Sequence, residues 1–176
     1  MKSIIIGVTG GIACYKAAEI VSALVKRGHR VDVIMTENAQ KFVTPLTFQT
    51  LSQNKVITDL FEMPDSWDVH HISLAKRADI FAVVPATANI IGKIAAGIAD
   101  DMLTTTLLAA TCRRVIAPAM NTAMWENPIV QDNIKRLQSF GFEVLDTAKG
   151  RLACGDTGKG KLLPWEEIVD VILKNA

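Results

Sequence analysis

The chain has 176 residues, a length that fits one domain with a substantial core. Its 19 basic and 18 acidic residues give a formal net charge of +1 without a Lys/Arg cluster, so neither nucleic acid nor an anionic membrane is favoured as a partner. Hydrophobic residues make up 49% of the chain, which indicates a sheet covered on both faces and some apolar surface in contact with another subunit.

The apolar start of the chain does not have the form of a signal peptide. Glycines interrupt it, and it lacks a basic leading region and a convincing cleavage site. No stretch supplies the roughly 20 apolar residues of a membrane span, so we expect a cytoplasmic protein. The three cysteines, Cys14, Cys112 and Cys154, are odd in number and widely spaced, which favours reduced thiols over a disulfide framework or a metal site.

The first stretch predicts a strand, a tight glycine-containing turn and a helix over residues 17–26 that ends near Gly28. Gly10 and Gly11 lie in the turn, where backbone amides and the following helix favour a phosphate. The spacing lacks both the G-x-G-x-x-G and the Walker pattern, so it fits another phosphorylated ligand better than a dinucleotide or ATP. Alternatively, the glycines only permit a sharp turn.

A second strand is predicted over residues 31–35, followed by Thr36, Glu37 and Asn38 at the same edge of a parallel sheet. Glu37 could bind a ribose, or the three residues could cap a short helix over 39–42. A helix over 45–52 and a short strand over 55–58 follow.

The next predicted helix covers residues 70–79, with Asp68 near its N-cap. Helical spacing places His71 on the inward face with Leu74, Ala75 and Ala78. An isolated histidine is more often structural than catalytic, so the pattern alone leaves both roles open.

The rest of the chain continues the alternation of strands and helices. Polar or small residues follow two of the strands, at Thr87-Ala88-Asn89 and at Ala119-Met120-Asn121. We predict one α/β domain over residues 1–176, with a doubly wound, mostly parallel sheet that binds its ligand at this edge. The remaining predicted elements are strands over 80–84, 114–117 and 142–145, helices over 90–96, 102–110, 128–140 and 164–173, and an irregular loop over 151–161 within a mobile flap near 149–161.

Five motifs together resemble one family, the flavin mononucleotide (FMN)-dependent cysteine decarboxylases, over essentially the whole chain. They are Gly10-Gly11-Ile12-Ala13-x-Tyr15-Lys16, His71-Ile72-x-Leu74, Pro85-Ala86-Thr87-Ala88-Asn89, Pro118-Ala119-Met120-Asn121-x-x-Met124-Trp125 and Ala153-Cys154-Gly155-Asp156.

The resemblance implies a role for each matched residue. His71 matches the catalytic base, Asn121 the ligand of the substrate carboxylate, and Cys154 the proton donor. Asn121, Met124, Ala153 and Lys161 would bind substrate, and nearby Lys149, Arg151 and Lys159 either meet its phosphate or are simply solvated. The residues expected to hold FMN are Gly10, Gly11, Ile12, Thr36, Thr87, Ala88, Asn89 and Ala119, the last near the flavin ring.

The implied reaction is decarboxylation of 4′-phosphopantothenoylcysteine in coenzyme A biosynthesis. In the family, FMN oxidises the cysteinyl thiol, carbon dioxide leaves, and the enethiolate is reduced. The presence of Cys154 favours the branch that completes this reduction over the lantibiotic-type peptidyl-cysteine decarboxylases, which stop at the enethiol. A non-catalytic flavin-binding regulatory subunit is a third alternative.

The resemblance also implies a homotrimer or a dodecamer, with flavin at the subunit contact. The ligase domain that many bacterial members carry is absent from this sequence, so a separate phosphopantothenate–cysteine ligase is an expected partner. Two positions depart from the family pattern: Arg77 replaces an aromatic residue, and Ile90 replaces a hydroxyl residue that could hydrogen-bond the flavin.

Overall fold

The computed structural model describes residues 1–61, 69–153 and 155–174. In this part of the chain, five parallel strands form one sheet in the order β2-β1-β3-β4-β5, as the sequence predicted for a doubly wound fold. The chain reverses its direction of winding between β1 and β3. The strands are β1 (Ser3–Val8), β2 (Arg30–Met35), β3 (Ile80–Ala86), β4 (Arg113–Pro118) and β5 (Glu143–Val144).

Helices cover both faces of the sheet. One face packs against α1 and α8, and the other against α3, α4, α5 and α7, which agrees with strands that are buried on both sides. The helices are α1 (Tyr15–Lys26), α2 (Pro45–Ser52), α3 (His70–Arg77), α4 (Ala88–Ala96), α5 (Met102–Ala109), α6 (Thr122–Trp125), α7 (Pro128–Ser139) and α8 (Trp165–Leu173), with 3-10 turns at Ile12–Cys14 and Ala39–Lys41.

Most predicted boundaries are confirmed to within a residue or two, and the differences have local causes. Helix α3 ends at Arg77 because Asp79 bonds instead to β1: its amide donates to the Ser3 carbonyl at 2.8 Å, and its carboxylate accepts from the Ser3 amide at 2.8 Å. The strand predicted over 55–58 is only a single bridge between Ile57 and Ile34. Asp68, predicted near the N-cap of α3, lies outside the described residues.

The prediction of an irregular loop over 151–161 is wrong. Strands β6 (Ala148–Arg151) and β7 (Thr157–Lys161) pair there as an antiparallel hairpin. The hairpin also bonds to the loop after β4, because the Met120 amide donates to the Gly160 carbonyl at 2.9 Å. Gly160 permits this close approach, since a Cβ there would lie 2.4 Å from the Met120 carbonyl oxygen. Glycine-rich pairing of this kind has no hydrophobic alternation to reveal it. The mobility of this segment stays a prediction.

Arg77, the departure from the family pattern, has a structural partner. Its Nη2 lies 3.0 Å from the carboxylate of Asp32, whose side chain is only 5% exposed in the middle of β2, and Arg30 Nε lies 3.4 Å from the same oxygen. A buried carboxylate needs such charged partners. Arg77 thus fastens the end of α3 to the sheet, a role that an aromatic residue could not fill.

No helix among the described residues is long and apolar enough to cross a membrane. Cys14 and Cys112 are free thiols, and burial raises the pKa of both.

Candidate functional site

The carboxyl ends of β1 and β3 are locked together by one buried side chain, Thr9. Its hydroxyl donates to the Pro85 carbonyl at 2.6 Å and accepts from the Thr87 amide at 3.2 Å. This is the point at which the strand order reverses, where open α/β sheets bind their ligands. Thr9 therefore sets the spacing between the two loops that follow these strands.

A cavity of about 610 Å³ opens between these loops, and we call it the turn cavity. All but one of the residues predicted to hold the cofactor line it; the exception is Ile12. The lining residues are Thr9, Gly10, Gly11, Thr36, Glu37, Asn38, Thr87, Ala88, Asn89, Ile90, Lys93, Asp100, Asp101, Ala119, Met120 and Met124.

Gly10 and Gly11 have different functions in the turn. A Cβ on Gly10 would lie 2.4 Å from the Asn38 Cβ and 2.9 Å from its backbone carbon, so glycine is required for the two loops to pack. A Cβ on Gly11 would meet only the Thr87 methyl group, at an ordinary 3.5 Å. Gly10 shapes the turn, whereas Gly11 leaves space beside the cavity.

Helix α4 begins in the wall of the turn cavity. The Thr87 hydroxyl accepts from the Ile90 amide at 3.3 Å, while the amides of Ala88 and Asn89 occupy the first turn, where a helix provides no internal acceptors. Such amides suit an anion. The Thr36 hydroxyl, also in the lining, accepts from the Ala39 amide at 3.3 Å, so Thr36 caps the 3-10 turn, whereas the Asn38 side chain at its N-cap position makes no capping bond.

The carboxylates that line the turn cavity have cationic partners. Lys93 Nζ lies 2.7 and 2.9 Å from the two oxygens of Asp100, and Lys41 Nζ lies 3.5 Å from Glu37. The hydrogen bond from Lys93 lowers the pKa of Asp100, and the same bond raises the pKa of Lys93. Lys93 Nζ also lies 3.7 Å from Asp101, so two lysines offset only part of the charge of the three carboxylates that line this cavity.

A second cavity, of about 580 Å³, lies beside the hairpin, and we call it the hairpin cavity. It shares Gly11, Ala119 and Met120 with the turn cavity, so the two spaces adjoin. Its wall is largely apolar apart from one amide side chain and three cationic ones. The lining residues are Gly11, Ile12, Ala13, Tyr15, Lys16, Ala119, Met120, Asn121, Arg151, Leu152, Ala153, Gly160, Lys161 and Leu162.

The orientation of the Asn121 amide is fixed by its own helix. Its Oδ1 caps α6 by accepting from the Ala123 amide at 2.8 Å, so its Nδ2 is directed the other way. Nδ2 donates to the Asp156 carboxylate at 3.4 Å. Its Nδ2 can therefore donate a hydrogen bond to a carboxylate, and its contact with a substrate carboxylate stays a prediction.

The other predicted site residues are divided between these spaces. Ala153 and Lys161 line the hairpin cavity, as predicted for substrate contacts. Ile12, predicted to contact the cofactor, lines the same cavity, because the 3-10 turn that it begins runs from the sheet edge towards the hairpin. Met124, predicted to contact substrate, lies instead in the turn cavity. His71 is half-buried on α3 and lines neither cavity. Cys154 lies outside the described residues.

Several lining residues were missed by sequence reasoning, notably Thr9, Lys16 and Met120. Each of them adjoins or lies within one of the five motifs. Its position after the end of a strand could therefore have indicated that it lines the site. Among the described residues, no group of three or more His, Cys, Asp or Glu side chains is placed to hold a metal ion.

Comparison with known proteins gives relatives over the full length of the chain. It is 51% identical to the coenzyme A biosynthesis bifunctional protein CoaBC of Bacillus subtilis over 174 residues, which cover 99% of this chain and 43% of that protein. It is 43% identical to the probable phosphopantothenoylcysteine decarboxylase of Streptococcus mutans over 173 residues, 97% of each chain. The chain thus spans less than half the length of its bifunctional relatives.

A solved structure with a similar fold is PPC decarboxylase, a Cys-to-Ser mutant complexed with pantothenoylaminoethenethiol. It has a TM-score of 0.87 and 28% identity, and the match covers 97% of this chain and 96% of that one. The FMN-dependent cysteine decarboxylase SpaF gives 0.86 and 29%, over 99% and 97% of the two chains. The model of the flavoprotein family matches residues 1–176. With two relatives that share more than 40% of its residues, and with adjoining cavities at the switch point of its sheet, this chain belongs to the flavoprotein family.

Proposed function

We propose that this protein catalyses the FMN-dependent decarboxylation of 4′-phosphopantothenoylcysteine to 4′-phosphopantetheine. The observation that carries the proposal is the pair of adjoining cavities that share Gly11, Ala119 and Met120. One is lined by hydroxyl groups and helix-initial amides, and the other by apolar groups, an oriented amide and cations. A cofactor and a substrate held in the two cavities would meet at the shared wall.

The turn cavity fits FMN. Gly10, Gly11, Thr36 and the segment Thr87-Ala88-Asn89 would hold it, with Ala119 near the ring, because their amides and hydroxyls suit a phosphate and a polar flavin edge. Bound FMN supplies two-electron oxidation of the substrate thiol, which makes loss of the α-carboxylate feasible. Ile90 forms part of the same wall without a hydroxyl group.

The chain's own residues bind and orient the substrate in the hairpin cavity. Asn121 Nδ2 would hold the carboxylate, as it holds that of Asp156 within this chain. A neutral amide orients this group without the ground-state stabilisation that a cation would provide, so the carboxylate can leave more readily. His71 would accept a proton from the substrate, and Cys154 would donate one to the product.

The position of His71 supports a homo-oligomer. Because it lines neither cavity of its own chain, its proposed role requires the α3 surface of one copy to approach the cavities of another. Around the cavities Ile12, Tyr15 and Met124 are each close to half exposed or more, at 55%, 57% and 47%. A second copy would cover these apolar side chains, and we propose a trimer or a dodecamer built from trimers.

Two further parts of the proposal follow from the relatives. Its relatives include bifunctional proteins of coenzyme A biosynthesis, so we propose that a phosphopantothenate–cysteine ligase supplies the substrate. We place this metabolism in the cytoplasm, where free thiols such as Cys14 and Cys112 remain reduced.

The proposal is tested by incubating the purified yellow holoprotein with 4′-phosphopantothenoylcysteine and, separately, with cysteine-terminated peptides. We expect carbon dioxide and 4′-phosphopantetheine from the first substrate and no turnover of the second. Peptide turnover alone would support a peptidyl-cysteine decarboxylase instead. Flavin binding without any turnover would support the non-catalytic alternative, and failure to bind FMN would refute all three.

The Cys154→Ser variant tests the last step of the reaction. We expect it to release carbon dioxide and to accumulate the enethiol, because the reduction that follows lacks its proton donor. If this variant forms 4′-phosphopantetheine at the wild-type rate, Cys154 has no part in the mechanism.

A further inference from the structure

Three basic side chains from different elements line the hairpin cavity. Lys16 comes from the first turn of α1, Arg151 from the end of β6 and Lys161 from the end of β7. Lys16 and Lys161 are half-buried. Lysine is seldom buried without a reason, since its charge loses hydration there.

These three cations are not paired with a carboxylate of the described residues. Within the described parts of the chain, no Asp or Glu oxygen forms an ion pair with Lys16, Arg151 or Lys161. Their neighbour Lys159 differs, because its Nζ lies 3.9 Å from Asp146, and it does not line the cavity. The hairpin cavity therefore has a surplus of positive charge in an otherwise apolar wall.

The hairpin itself holds Lys161 in place. A Cβ on Gly150, the residue before Arg151, would lie 3.4 Å from Lys161 Cδ and 3.5 Å from its Nζ. The lysine stem thus lies across the neighbouring strand, and its ammonium group lies beside the backbone that leads to Arg151. Lys16 approaches the same cavity from α1, so cations line it from two different parts of the fold.

We propose that Lys16, with Arg151 and Lys161, binds the phosphate of the substrate and selects phosphorylated over unphosphorylated cysteine conjugates. The inference rests on the proposed function. A phosphate dianion accepts several charge-assisted hydrogen bonds, which lysine and arginine supply. The same cavity contains the Asn121 amide, so it has a donor for the carboxylate at one end of the substrate and cations for the phosphate at the other. A peptidyl-cysteine substrate has no phosphate to bind these cations.

The test compares kcat/KM for 4′-phosphopantothenoylcysteine and for unphosphorylated pantothenoylcysteine, measured with the holoenzyme. We expect wild type to prefer the phosphorylated substrate, and Lys16→Ala to lower that preference about 10-fold to 100-fold, as for the loss of a charged hydrogen bond. The loss should appear in KM for the phosphorylated substrate, because the phosphate lies away from the reacting atoms and binds equally in ground and transition states. Lys16→Arg should restore most of the preference.

Lys149→Ala is the matched control. Lys149 is an exposed cation of the same hairpin that does not line the cavity, so its loss should leave the preference unchanged. An equal loss with Lys149→Ala would show a general effect of charge and refute the assignment. A Lys16→Ala variant with the wild-type preference, or a wild type that does not discriminate, would refute this inference while leaving the proposed decarboxylation intact. If wild type releases carbon dioxide from neither conjugate, the proposed function fails, and this inference fails with it.

Discussion

Replacing Gly10 by alanine tests whether this glycine is required for loop packing. The added Cβ would lie 2.4 Å from the Asn38 Cβ, whereas ordinary contacts begin near 3.4 Å. The two loops must therefore separate by about 1 Å, and one of the crowded atoms, the Asn38 backbone carbon at 2.9 Å, cannot rotate away. Overpacking of this kind costs about 1–3 kcal/mol.

Gly11→Ala is the matched control, since it adds the same methyl group one residue later. Gly11 has extended backbone angles (φ −137°, ψ 153°) that alanine adopts readily, and its Cβ would meet only the Thr87 methyl group. We expect its free energy of unfolding to stay within about 0.5 kcal/mol of wild type.

Thermal unfolding at a fixed protein concentration, with and without added FMN, distinguishes the two variants. About 1–3 kcal/mol corresponds to a fall of about 2–12 °C in Tm for Gly10→Ala in a chain of this size. FMN affinity should also fall in Gly10→Ala, because Gly10 and Asn38 both line the turn cavity. A Gly10→Ala protein as stable as wild type, or a Gly11→Ala protein equally destabilised, would refute the distinction drawn between the two glycines.

Three other substitutions test contacts elsewhere. Asp32→Asn should cost about 1–3 kcal/mol in urea unfolding, because it leaves Arg77 without its buried charged partner; an unchanged stability would show that this ion pair does not hold α3. Since the Lys93 hydrogen bond lowers the pKa of Asp100 below its ordinary 3.8, the pair stabilises the fold above that pH and loses its contribution as pH falls through the lowered value. Asp100→Asn should therefore be less stable than wild type at pH 7, and the difference should shrink as pH falls below 3.8; a difference that stays constant over that range would contradict this. His71→Asn should retain bound flavin, seen by its absorbance, while releasing no carbon dioxide; full activity would overturn the role of His71 as base.

Much of the fold could be predicted because its signals are local. The strand predicted over 80–84 and the helix predicted over 128–140 each depend on neighbouring residues, and the structure has β3 and α7 at those positions. The hairpin was missed because burial alternates along its strands at positions that are mostly glycine, so the sequence shows no apolar alternation there. The partner of Arg77 was also missed, since Asp32 lies 45 positions earlier on a strand that only the folded sheet brings beneath α3.

The sequence by itself determined the alternation of strands and helices, the family resemblance, and the expectation that loops after β1, β3 and β4 share one ligand. Hydrophobic periodicity and capping depend on residues a few positions apart, so they can be recognised in a linear chain. Only the tertiary structure decided which residues face which space. It shows that Gly10 packs against Asn38, whereas Gly11 borders both cavities. It also places Lys16 in the same cavity as Lys161. These relations depend on contacts between segments that are distant in the sequence, and such contacts form only when the chain folds.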